Sequence, residues 1–140
     1  MKNNQVLRYL TGGFILLSAF SLFTVSLMAF VNPQQVMDLV QVTLPNHDAY
    51  SSIRGIYGGV GAAIVIALVY LCYYNQKQGL VFLIMFWGFY ALSRGITHLV
   101  EGALGAFGKQ WIVTESVLFI IGLLLYVFNQ RSNSWRIILK

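Results

Sequence analysis

The sequence predicts an all-α integral membrane protein: four helices in up-down order, one transmembrane domain over residues 1–140, with a short interfacial helix in the first, outer loop. Three observations predict it. Apolar residues fill 58% of the 140 positions and charged residues 9%, against about 45–50% and about 25% in an ordinary soluble domain. The apolar residues gather into four runs, residues 9–31, 53–74, 80–106 and 111–128, each close to the ~20 residues that cross ~30 Å of hydrocarbon. The cations between the runs fall almost wholly on one side. A disordered tail, a disulfide-rich secreted module and a cytosolic enzyme are excluded on the same figures.

Within hydrocarbon a helix satisfies its own backbone, so each run reads as a helix. The first, Tyr9 to Val31, is too long for the 7–15-residue core of a signal peptide and lacks a small-x-small cleavage site, so it is expected to stay in the chain. An outer loop, residues 32–52, follows. It opens with Asn32-Pro33, a good helix start. Val36, Met37, Leu39 and Val40 then recur at helical spacing before Pro45, which predicts the interfacial helix. The second run, Ile53 to Tyr74, turns tightly at Asn75–Gly79 into the third, and Phe107–Gln110 is the expected turn into the fourth. Residues 129–140 form a cytoplasmic tail whose end, Trp135 to Lys140, mixes Ile137, Ile138 and Leu139 with cations and is expected against the inner leaflet. No internal repeat or low-complexity segment is visible.

Lysine and arginine set the direction. Lys2, Arg8, Lys77, Arg131, Arg136 and Lys140 share one side, and Lys109 stands on the other with Asp38 and Asp48, six cations against one. The positive-inside rule puts both termini and the Lys77 turn in the cytoplasm and the long loop outside, in the inner membrane of a bacterium. Trp111, Tyr73, Tyr74 and Trp135 fall near the expected interfaces. The net charge of +5 comes from single, scattered cations without the clustering or interleaved aromatics of a nucleic-acid binder, so no nucleic acid is expected as a partner. The single cysteine, Cys72, sits in an apolar run. It offers no internal disulfide or thiol relay and reads as a small buried hydrophobe.

Charges inside the spans need a reason, since each costs about 2.5–3.5 kcal/mol at mid-span. Arg54 opens the second span. Arg94 lies about 21 Å along the third at 1.5 Å per residue, with His98 and Glu101 at i+4 and i+7 and Tyr90 a turn before. Glu115 falls one turn into the fourth. All occupy the outer half of their spans, although neighbouring helices run in opposite directions. An interior polar cluster of Arg54, Arg94, Glu101 and Glu115 is therefore expected, with His98, Tyr57 and Tyr90 beside it and guanidinium forks on the carboxylates. Such a cluster serves equally to fix helix register.

Gly55 and Gly59 form a G-x-x-x-G, overlapped by Gly58 with Ala62 and Gly59 with Ala63. Small faces of this kind pack helices closely in lipid, inside one chain or in a homodimer. They follow no strand, which excludes a phosphate loop. His47 and Asp48 with His98, Glu101 and Glu115 would make an oxygen-and-imidazole metal set, but no metal-binding spacing supports it, and no metal or cofactor is expected. Ser93 or Ser116 with His98 would supply parts of a nucleophilic triad, a weaker reading because serine is common in helix packing.

Arg54-Gly55-Ile56-Tyr57-Gly58-Gly59, Gly88, Ser93-Arg94-Gly95, Glu101-Gly102 and Glu115 together resemble the small bacterial four-helix membrane family catalogued as domain of unknown function 4345. The resemblance covers residues 50–128. It departs where the family tends to carry Asp and this chain has Glu101, and His98 is not part of the pattern. A looser architectural similarity exists to DoxX-like bundles. The resemblance implies a fold and a charged core, and no particular reaction.

Three roles follow. The cluster holds a small amphiphile, a lipid headgroup or a partner's helix, making this a binding or accessory protein. Alternatively it is a membrane enzyme acting on a lipid-soluble substrate, with Glu101 or Glu115 as acid/base and His98 as proton carrier. In the third role the cluster is purely structural. Proton-coupled transport ranks lowest, because the inner halves of the spans hold only Ser, Thr and Tyr.

Overall fold

The computed structural model describes residues 2–132. The tail from Trp135 to Lys140 lies outside them. Helices occupy Lys2–Val31 (α1), Pro33–Asp38 (α2), His47–Ile53 (α3), Gly61–Tyr74 (α4), Gln76–Val100 (α5) and Ala106–Arg131 (α6), and a π-helical stretch, Arg54–Val60, joins α3 to α4 without a break. Four stretches are long and apolar enough to cross a membrane: Asn4–Val31, His47–Tyr74, Gln76–Val100 and Ala106–Arg131, of 28, 28, 25 and 26 residues. Each exceeds the ~20 residues a perpendicular crossing needs, which leaves room for tilt. This is the helix content of a multi-pass membrane protein.

The helix ends depart from the apolar runs, and capping chemistry at Asn46, Asn75 and Gly102 explains three of the departures. The expected turn at Asn75–Gly79 shrinks to one residue: Asn75 caps α5 by accepting from the Gln78 N–H at 3.1 Å. The third run does not continue to residue 106. Gly102, with φ +104°, takes the left-handed conformation that ends helices, and Val100 is the last residue of α5. The expected turn at Phe107–Gln110 is instead the first turn of α6, where Phe107 and Trp111 meet at i+4 with ring centroids 5.9 Å apart. The second span starts at His47 rather than residue 53, because the Asn46 side chain accepts from Ala49 N–H at 2.9 Å and Asp48 favours the helix N-terminus. The fourth reaches Arg131.

The described residues form two compact units, one of residues 16–70 and one of residues 2–15 together with 71–132. In the 16–70 unit the later part of α1 packs against the π stretch. A Cβ on Gly58 would meet the Phe30 ring at 3.1 Å and one on Gly61 would meet Ser26 at 3.2 Å. Ser26 Oγ donates to Gly58 O at 2.7 Å, both buried. The loop helix α2 begins as its Asn32-Pro33 start predicts, with Asn32 accepting from Gln34 N–H. Val36 and Met37 are buried with Ala29, whereas Leu39 and Val40 fall beyond the helix and are exposed. The Gln34 side chain donates to Asp38 and Val42 O and accepts from Leu44 N–H, fastening the rest of the loop.

In the other unit α5 and α6 form an antiparallel hairpin. Its register is read from three levels: Arg94 beside Glu115, Gly88 facing the Phe119 ring and Ile84 facing Gly122. At both glycines an added Cβ would stand 3.0 Å from the opposing side chain, so the absent side chains set how closely the helices approach. The start of α1 joins the far end of this hairpin. Asn129 Nδ2 donates to Thr11 Oγ1 at 2.9 Å and to Leu125 O at 2.8 Å, and Thr11 Oγ1 donates to Leu7 O. Cys72 is buried, its Sγ 3.6 Å from Gly12 O.

Candidate functional site

Of the expected cluster, Arg94 and Glu115 are brought together. Arg94 Nε donates to Oε2 at 2.6 Å and Nη2 to Oε1 at 2.9 Å, a side-on fork. Glu115 is 1% exposed, while the Arg94 side chain keeps 21% of its surface. Glu115 lies further from its helix end, and Arg94 nearer to its own, than the apolar runs suggested, because α6 starts at Ala106 and not at Trp111 and α5 ends at Val100. Glu115 stands about 14 Å from that start, and Arg94 about 9 Å from the end of α5. Removing one charged group from such a pair would strand the other, which is the physical reason both occur.

The guanidinium has further contacts and further capacity. Its carbon lies 5.6 Å from the centroid of the Phe107 ring, within the ~6 Å of a cation–π contact. Two of its five N–H donors are taken by Glu115, and no other acceptor among the described residues takes the remaining three. Along α5 a series at i+4 spacing leads up to it. Phe82 and Phe86 stack at 6.0 Å between centroids, Phe86 and Tyr90 meet at 4.9 Å, and Arg94 is next in the series. Phe82 and Phe86 are half-buried and Tyr90 exposed.

Of the other expected members, Tyr90 and His98 lie one turn before and one turn after Arg94 on α5. Glu101 is exposed and follows the end of α5 as its cap, and His98 is exposed in the last turn. The expectation that Glu101 stacks with Arg94 inside one continuous helix is therefore corrected: the helix stops before it. Arg54 belongs to the 16–70 unit, is exposed, and donates from Nε to Phe30 O at 3.1 Å, meeting a carbonyl at the C-terminal end of α1. Tyr57 packs there against the Ala29, Val36 and Met37 cluster. The Gly55 and Gly59 face has nothing within 4 Å of an added Cβ. Ser93 Oγ donates to Tyr90 O at 2.8 Å, bonding back to its own helix. Among the described residues no group of three His, Cys, Asp or Glu gathers as metal ligands.

Sequence reasoning missed Asn129, which it placed in the tail. It is 1% exposed inside α6. The available signal was Thr11, Ser18 and Ser26, at i+7 and i+8 along α1, which is the spacing of one buried polar stripe.

Neither the curated proteins nor the solved structures contain a match to this chain. A family model matches residues 10–126, from within the first span to within the last, with Arg94, Glu115 and the glycines of the π stretch inside it. The chain belongs to the family described as domain of unknown function DUF4345.

Proposed function

We propose that this is a binding or accessory protein of a bacterial inner membrane, with four up-down crossings and both termini cytoplasmic, that holds the head of a small amphiphile at Arg94. The observation that carries the reading is the half-used guanidinium: Glu115 fixes it in place, and three N–H donors remain without an acceptor among the described residues. Donors left unpaired within a span are costly unless something else accepts from them. The ring series Phe82, Phe86 and Tyr90 supplies an apolar surface for the tail of the same molecule. An acid–base enzyme fits less well, since both Glu115 oxygens accept from Arg94 and Glu101 and His98 stand exposed near the helix end.

The test is native mass spectrometry of the full chain purified in a neutral detergent. The wild type should retain a bound amphiphile, and the Arg94→Met/Glu115→Met double variant, which removes both charges at once, should fold and lose it. Equal retention by the two, or none by the wild type, would leave the pair only the task of fastening α5 to α6.

A further inference from the structure

Resting on that binding reading, we infer that the head held at Arg94 is an uncharged hydrogen-bond acceptor, an ester or ketone carbonyl on a long acyl chain, and not an anion. The charge balance carries the argument. Glu115 lies against the guanidinium at 2.6 and 2.9 Å and is almost wholly buried, so the pair as a whole presents no net charge. Among the described residues no second cation makes an ion pair with Glu115. An incoming anion would find no surplus positive charge, and it would have to sit beside a carboxylate in a medium that screens poorly.

What the pair does present is a set of N–H donors in the guanidinium plane, polarised by a carboxylate on one edge and covered on a face by Phe107. A carbonyl oxygen accepts from such donors without bringing charge. The rings from Phe82 to Tyr90 continue this surface along α5. From Phe82 to Arg94 the helix rises about 18 Å, the scale of a long acyl chain laid beside it. Head and tail requirements therefore point to one class of molecule, a neutral lipid-soluble carbonyl compound.

Two probes separate charge from chain length: methyl palmitate, which is neutral, and hexadecanesulfonate, which stays anionic at every pH used. Binding of labelled methyl palmitate to the full chain in neutral micelles, with each compound as competitor, gives the preference. The wild type should favour the ester by about tenfold or more, the effect expected of a like charge placed beside Glu115. Glu115→Gln keeps the shape and frees the guanidinium charge, and should turn the preference toward the sulfonate. Wild-type preference for the sulfonate would overturn the neutral-head assignment and leave amphiphile binding standing. If neither compound binds, the binding reading falls with it. The wild-type comparison decides the matter even where the variant fails to fold.

Discussion

At the scale of single residues the Arg94–Glu115 pair dominates, because each half makes the other tolerable. Arg94→Met leaves the Glu115 carboxylate buried without its partner, and should destabilise the folded chain by about 3 kcal/mol, the lower end for a broken buried pair because the guanidinium keeps some exposure. Replacing both, as Arg94→Met/Glu115→Leu, should return stability to within ~1 kcal/mol of wild type. Unfolding by sodium dodecyl sulfate in mixed micelles measures both. A single variant as stable as wild type would mean that the carboxylate has found another partner. These two residues were legible in the sequence because opposite charges at similar depth in consecutive spans have few other ways to exist in lipid. Glu101 was misplaced for a local reason. Its spacing from Arg94 is helical in the sequence, but Gly102 takes a positive φ and α5 ends at Val100, before Glu101. His98 keeps its i+4 place in the last turn. Arg54 donates to the carbonyl of Phe30, a contact that leaves no trace in composition.

At the scale of elements, close approach is set by absent side chains, and substitution tests this directly. Gly88→Val would drive its branches into the Phe119 ring, where even a Cβ stands 3.0 Å away, and should cost about 1–3 kcal/mol. Gly95→Ala, on the same helix but with nothing within 4 Å, should be neutral or stabilise by up to ~1 kcal/mol. If the two behave alike, α5 and α6 do not pack in the register described. Thr11→Val removes the acceptor of the Asn129 amide, which keeps its bond to Leu125 O. The expected loss is about 0.6–1.7 kcal/mol, the range of interhelical hydrogen bonds in membranes, read by the same unfolding titration. The four long helices were legible because an apolar run has only one stable backbone state in lipid. Their ends were not, because Ala103, Leu104 and Ala106 count as apolar whether or not they are helical. Asn75 reads as a turn residue although it also caps the next helix. The interior role of Asn129 was hidden by the same uncertainty: a residue assigned to a tail is not asked for a buried partner.

At the scale of the whole molecule, the proposed orientation rests on where the cations fall, and two lysines test it. Lys77 lies in the first turn of α5 and Lys109 in the first turn of α6, and both are exposed. Between them runs the 25-residue α5, about 37 Å long, which exceeds the ~30 Å of hydrocarbon. If α5 crosses, the two lysines face opposite compartments. The positive-inside bias then assigns Lys77 to the cytoplasm, because it shares its side with Arg8 and Arg131. The measurement is cysteine labelling in intact bacterial cells on a Cys72→Ala background. Cys72 is buried, and its sulfur makes a long contact to Gly12 O and a side-chain hydrogen bond with Gln76, contacts weak enough that this background should fold. A membrane-impermeant maleimide should modify Lys109→Cys in intact cells and Lys77→Cys only after lysis. Reactivity of both from outside would mean that α5 does not cross the membrane. The reversed pattern would keep the crossings and invert the chain, placing Arg94 and Glu115 in the leaflet nearer the cytoplasm, so the compartment from which the pair meets its ligand is decided by the same two labels.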